Sequence, residues 1–107
     1  RVSIVELHEM ATNTFGDMVK AVVDVKRAIM AIDAELHADE EARLLENGSD
    51  QMDLWGINLY PEIERADFIE YDSMINLRPS IGNRSRGVEN PEVREKIRHI
   101  VDDLVIR

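Results

Sequence analysis

Apolar and polar positions change period several times along the chain, and each change predicts an element. Ile4, Leu7, Met10, Ala11 and Phe15 recur at three- and four-residue spacing, which predicts an amphipathic helix. Ser3 and Glu6 stand at the spacing of a capping box, Val2 and Leu7 are placed as a hydrophobic staple, and Gly16 marks the end. From Met18 the period becomes two. Val19, Ala21, Val23 and Val25 alternate with Met18, Lys20, Val22 and Asp24, as in a strand with one well-buried face. Lys26-Arg27 predicts a tight turn, and Ala28 to Ile32 the returning strand. Asp39, Glu40 and Glu41 suit the first turn of a helix running to about Asn47, since carboxylates there face the positive end of the helix dipole. Gly48 fits the position just past that helix.

The second half alternates again. Trp55, Ile57 and Leu59 oppose Leu54, Asn58 and Tyr60 in a predicted strand from Asp53 to Tyr60, with Gly56 marking a bulge or a close backbone approach. After Pro61 and a connection over 62–67, Phe68 to Leu77 predicts a fourth strand. Ile69, Tyr71, Ser73, Ile75 and Leu77 take one face, and Phe68, Glu70, Asp72, Met74 and Asn76 the other. Pro91 to about Val105 is the clearest helix, with Asn90 as N-cap and Val93, Ile97, Ile100, Val101 and Leu104 in one stripe. The order α-β-β-α-β-β-α predicts a single α+β domain over residues 1–107. Its four-stranded, mainly antiparallel sheet carries the helices on one face.

Composition narrows the chemistry. The chain has no cysteine, which excludes disulfides, thiolate catalysis and cysteine metal sites. No stretch is apolar enough to span a membrane and none resembles a signal peptide, so a cytoplasmic setting is the default expectation. The net charge of −9 is uneven: residues 1–77 hold 6 Lys and Arg against 17 Asp and Glu, whereas residues 78–107 hold 7 against 5. An acidic body disfavours nucleic-acid binding, which depends on neutralising phosphates. The basic last third still permits a small anionic ligand, or self-association through opposite charge.

One stretch gathers the candidate chemistry. Residues 76–91 hold Arg78, Arg84 and Arg86 with Gly82 and Gly87, and lead directly into the last helix. Arginine pairs bidentately with oxyanions, glycine lets successive backbone amides point into one concavity, and a helix N-terminus adds partial positive charge. Arg78, Ser80, Asn83, Arg84, Ser85, Arg86 and Gly87 are therefore the expected ligand-binding residues, although the spacing matches neither the P-loop nor the dinucleotide fingerprint. Such arginines equally often pair with a protein's own acids. His37 lies among Glu35, Asp39, Glu40 and Glu41, but no second histidine stands at ligand spacing, so neither a metal nor a cofactor is implied.

Several runs carry a family resemblance: residues 36–41 (Leu-His-Ala-Asp-Glu-Glu), 44–49 (Leu-Leu-Glu-Asn-Gly-Ser), Leu54-Trp-Gly-Ile-Asn58 with Tyr60-Pro61, Ser73-Met-Ile-Asn76 with Arg78-Pro79-Ser80, and Gly82-Asn-Arg-Ser-Arg-Gly-Val88. Together they resemble a family of small uncharacterised prokaryotic proteins of unknown function. The resemblance covers nearly the whole chain. It implies one compact domain, carries over no ligand or catalytic residue, and suggests that a short N-terminal strand is missing here.

Three functions remain open. The first is a small-anion (phosphate or carboxylate) binding domain built on the arginine–glycine loop. The second is an interaction protein, homo-oligomeric or partner-binding, gripping carboxylates through the same loop. The third is a small hydrolase in which the arginines stabilise charge and His37 or Asp72 acts as acid or base.

Overall fold

Ser3 and Glu6 form the reciprocal cap written into their spacing. Each backbone amide donates to the other's side chain at 3.1 Å, and helix α1 follows as Ile4–Asn13. In this computed structural model the backbone is described for residues 1–107, and the side chains for all of them except Arg65. The other helices are α2 (His37–Glu46) and α3 (Pro91–Leu104); Asn90 caps α3 through its side chain, as expected. Strands β2 (Val19–Asp24), β3 (Ile29–Ile32), β4 (Leu54–Leu59) and β5 (Ile69–Glu70) make one sheet in the spatial order β3-β2-β4-β5, every neighbour antiparallel. The α+β class and the sheet are those that the alternation predicts. Two short strands add to them: β1 (Val2–Ser3) and β6 (Val105–Ile106) pair in parallel, Val2 beside Val105.

The helices do not share one face. The odd-numbered residues of β2 and β4 (Val19, Ala21, Val23, Trp55, Ile57, Leu59) pack with Leu7 and Ala11 of α1 and Ile97 and Val101 of α3. The even-numbered Val22 and Leu54 pack with Ala31 and with Leu44 of α2, on the opposite side. Helix α2 thus lies across the face expected to be solvated, because that face carries its own apolar cluster. Among the described residues, no helix is long and apolar enough to cross a membrane.

Two local expectations are corrected as well. The β2–β3 turn is wider than a two-residue hairpin. Asp24 Oδ1 accepts from the amides of Lys26 and Arg27 at 2.9 Å each, Ala28 takes a positive φ of 56°, and Ser49 Oγ donates to Asp24 Oδ2 at 2.7 Å. An Asx-type turn replaces the usual hairpin residues. The predicted fourth strand stops after Glu70. Residues Met74–Asn76 form a 3-10 turn, because Ser73 Oγ accepts from the Ile75 amide and diverts the backbone. The outer edge of β4 is then completed by a side chain. The carboxamide of Asn76 accepts from the Gly56 amide at 2.8 Å and donates to the Gly56 carbonyl at 2.9 Å, as a neighbouring strand would.

Candidate functional site

The arginine–glycine stretch folds around one side chain. Nδ2 of the buried Asn83 donates to the carbonyls of Asn76 (2.7 Å), Gly87 (2.8 Å) and Ser85 (3.2 Å), while its Oδ1 accepts from the Glu89 amide at 2.9 Å. Its backbone bridges Arg78 in both directions. Gly82, at φ 87°, makes the left-handed step between the Pro79–Ile81 turn and this hub, where a Cβ would be strained.

Convergent amides of the kind expected for anion binding are present at Arg84 and Ser85, and they face an anion of the same molecule. The Arg84 amide donates to Glu89 Oε2 at 2.8 Å. The Ser85 hydroxyl, with the Arg84 and Ser85 amides, holds the Glu89 carboxyl below its ordinary pKa.

The guanidinium groups go three ways. Arg78 is largely buried; its Nη2 lies 3.5 Å from Glu41 Oε2 and its plane stands 5.2 Å from the Trp55 ring. Arg86 pairs with Asp72 through Nε at 2.8 Å and Nη2 at 3.4 Å. Arg84 is exposed and forms no side-chain ion pair among the described residues. Ser80 is exposed beside Gln51, Met52 and Ile81, and Gly87 lies against Tyr71, so the seven expected residues do not line one concavity.

One of the seven, Arg86, instead joins residues from distant parts of the chain. A hollow of about 180 Å³ at the N-terminus of α2 is lined by Lys20, Leu36, His37, Ala38, Ser73, Met74, Ile75 and Arg86. Of its lining residues, Lys20 of β2 begins a polar row that register sets across the sheet, beside Asn58 of β4 and then Glu70 of β5. Asn58 Nδ2 donates to Glu70 Oε1 at 2.8 Å and to the Asp72 carbonyl at 3.4 Å. Both partners only accept, so the amide orientation is fixed, and Oδ1 is left buried without a partner. Tyr60 OH donates to the same Glu70 oxygen at 3.0 Å; burial and that bond raise its pKa to about 12.

His37 opens α2, two residues before the predicted start, and is buried against the sheet. Its Nε2 lies 2.7 Å from the Ile57 carbonyl, which can only accept, so Nε2 carries the proton. Nδ1 has no hydrogen-bond partner among the described residues, yet it is not one of the sealed, unpartnered atoms. Burial lowers the pKa and keeps the ring neutral. Lys20 and Arg86 push in the same direction, while the Ile57 carbonyl and Asp72 oppose them. His37, Asp72 and Arg86 are thus neighbours, as acid–base chemistry would require; Arg84 is not among them.

Lys20 is the residue that sequence reasoning passed over. It reads as the polar side of a strand, but it is half-buried, and none of the ion pairs among the described residues includes it. Its ammonium stands 5.1 Å from the Phe15 ring. A lone lysine in a strand otherwise made of valine, alanine and one terminal aspartate was the available signal. Elsewhere, a hollow of about 470 Å³ beside Trp55 is lined by Asn83, Glu89 and Asn90, whose side chains are already engaged in the loop and the α3 cap. No group of three or more acidic or histidine side chains suited to a metal occurs among the described residues.

Residues 1–104 match the family described as protein of unknown function (DUF5674), and the chain belongs to that family. No curated protein and no solved structure matches it.

Proposed function

We propose that the hollow at the α2 N-terminus binds a small molecule carrying a carboxylate or phosphate. The carrying observation is Lys20, a half-buried lysine that makes no ion pair among the described residues, in a chain of 22 acids and 13 bases. An anion seated there would pair this cation. Arg86 adds a guanidinium already oriented by Asp72, and His37 and Ala38, at the positive end of α2, line the same hollow. The basic loop contributes Arg86 to this site, while the Asn83 and Ser85 side chains hold the loop together. Titration calorimetry with acetate and with inorganic phosphate tests the reading. Binding to the wild type should weaken in Lys20→Gln and in Arg86→Gln and persist in Arg84→Ala. No heat with either anion, or equal loss in Arg84→Ala, overturns it.

A small hydrolase is the second reading, and the His37 tautomer favours it. The Ile57 carbonyl orients the ring as a carboxylate does in catalytic triads, leaving Nδ1 to take a proton from water beside Lys20 and Arg86. Hydrolysis of p-nitrophenyl acetate or phosphate that disappears in His37→Asn, in a variant that still folds, supports this reading; no turnover by the wild type removes it.

A further inference from the structure

The hollow at the α2 N-terminus has a neighbour. A second hollow, about 340 Å³, is lined by Asn13, Thr14, Phe15, Lys20, Glu35 and Leu36, and so shares Lys20 and Leu36 with the first. Taken together, the two adjoining hollows outline a trough, with Lys20 and Leu36 shared between them. Its rims hold three large apolar side chains that folding leaves in water: Phe15 at 42%, Leu36 at 56% and Met74 at 62% exposure. Single exposed apolar residues are ordinary, but three around one trough that also holds a cation unpaired among the described residues ask for a shared explanation.

We propose that the ligand is an amphipathic carboxylate: one anionic head and an unbranched apolar tail of medium length. This rests on the anion-binding reading above and specifies its ligand class. Charge orients the molecule. The head belongs where Lys20 and Arg86 lie, because the outer hollow offers the Glu35 carboxylate, which repels it. The tail then runs over Phe15 and Leu36 and removes their exposed surface from water. The trough takes one free molecule, not a bilayer, since its walls are short segments and a strand face instead of a long amphipathic helix.

Calorimetry comparing acetate with octanoate, the latter kept below its micelle concentration, is the test. Octanoate should bind at least tenfold more tightly than acetate. The octanoate-to-acetate ratio should fall toward one in the double variant Phe15→Ser/Leu36→Ser, and both ligands should weaken in Lys20→Gln. If acetate binds and octanoate gains nothing, this inference fails while the anion site stands. If octanoate alone binds and ignores Lys20→Gln, it is adsorbing to some other apolar surface, and the inference fails. If neither binds, the anion site fails with it. Thermal unfolding of each variant without ligand shows that a lost signal is not a lost fold.

Discussion

Ser73 presses on Gly56 more closely than any side chain there would allow: a Cβ on Gly56 would lie 2.5 Å from Ser73 Cβ and 2.6 Å from its Oγ. The approach lets Asn76 reach the edge of β4. Gly56→Ala should therefore separate the Met74–Asn76 turn from the strand and break both Asn76–Gly56 hydrogen bonds. The expected loss is about 2–4 kcal/mol, from overpacking together with unsatisfied buried groups. Urea denaturation reads it, and an unchanged midpoint would show that the turn moves aside freely.

Asn83 serves three carbonyls and one amide at once. Asn83→Ala strands those buried groups and should cost about 3 kcal/mol. Asn83→Asp should be at least as harmful, since a carboxylate has no hydrogens to give and faces oxygens instead. If the aspartate variant retains wild-type stability, the loop is held by something other than this carboxamide.

Glu40 gives a pH dependence with a definite sign. Its side chain is buried under α2, with one oxygen accepting from the Ala34 amide at 3.3 Å and the other without a partner. Burial raises its pKa from an ordinary 4.5 to about 9. Between those values the folded state holds a proton that the unfolded state has released, so stability falls as pH rises. Glu40→Gln keeps the shape without the titration. Its stability advantage over wild type should widen by up to about 1.4 kcal/mol per pH unit from weakly acidic to weakly alkaline solution. Parallel denaturation curves at three pH values decide the matter; a constant difference refutes it.

His37 contributes with the opposite sign. With its pKa lowered, the unfolded chain takes up the proton first as pH drops below 6.5, so this residue's share of stability is present above that value and is lost in acid. Nitrogen-15 NMR should find a neutral ring protonated at Nε2 at pH 7. A protonated Nδ1, or a titration above 6.5, would contradict the geometry at Ile57.

Local chemistry made some of this fold legible in advance. The α1 capping box, the Asn90-Pro91 start of α3 and the alternation of β2 and β4 depend on residues only a few positions apart, so pattern alone places them. Residues 68–77 also alternate, but the hydroxyl of Ser73 and the amide of Asn76 capture backbone groups, and a two-residue period cannot distinguish that from a strand. The side of the sheet on which α2 would lie depended on reading Val22 and Leu54 as a second core.

The site was legible only in part. The loop arginines could be picked out from composition. Their partners could not, since Glu41 lies 37 residues from Arg78 and Asp72 lies 14 from Arg86. Lys20 needed the register across β2 and β4 before its isolation could be seen.

Glu89 has a consequence for how this chain meets salts and metabolites. Because the carboxylate at the Arg84–Ser85 amides is tethered nearby, it competes there at an effective concentration on the order of millimolar or more. A free anion must displace that carboxylate to reach the Arg84 and Ser85 amides, so this seat behaves as already occupied. Changing Glu89 would vacate that seat and leave the Arg84 and Ser85 amides open to a free anion.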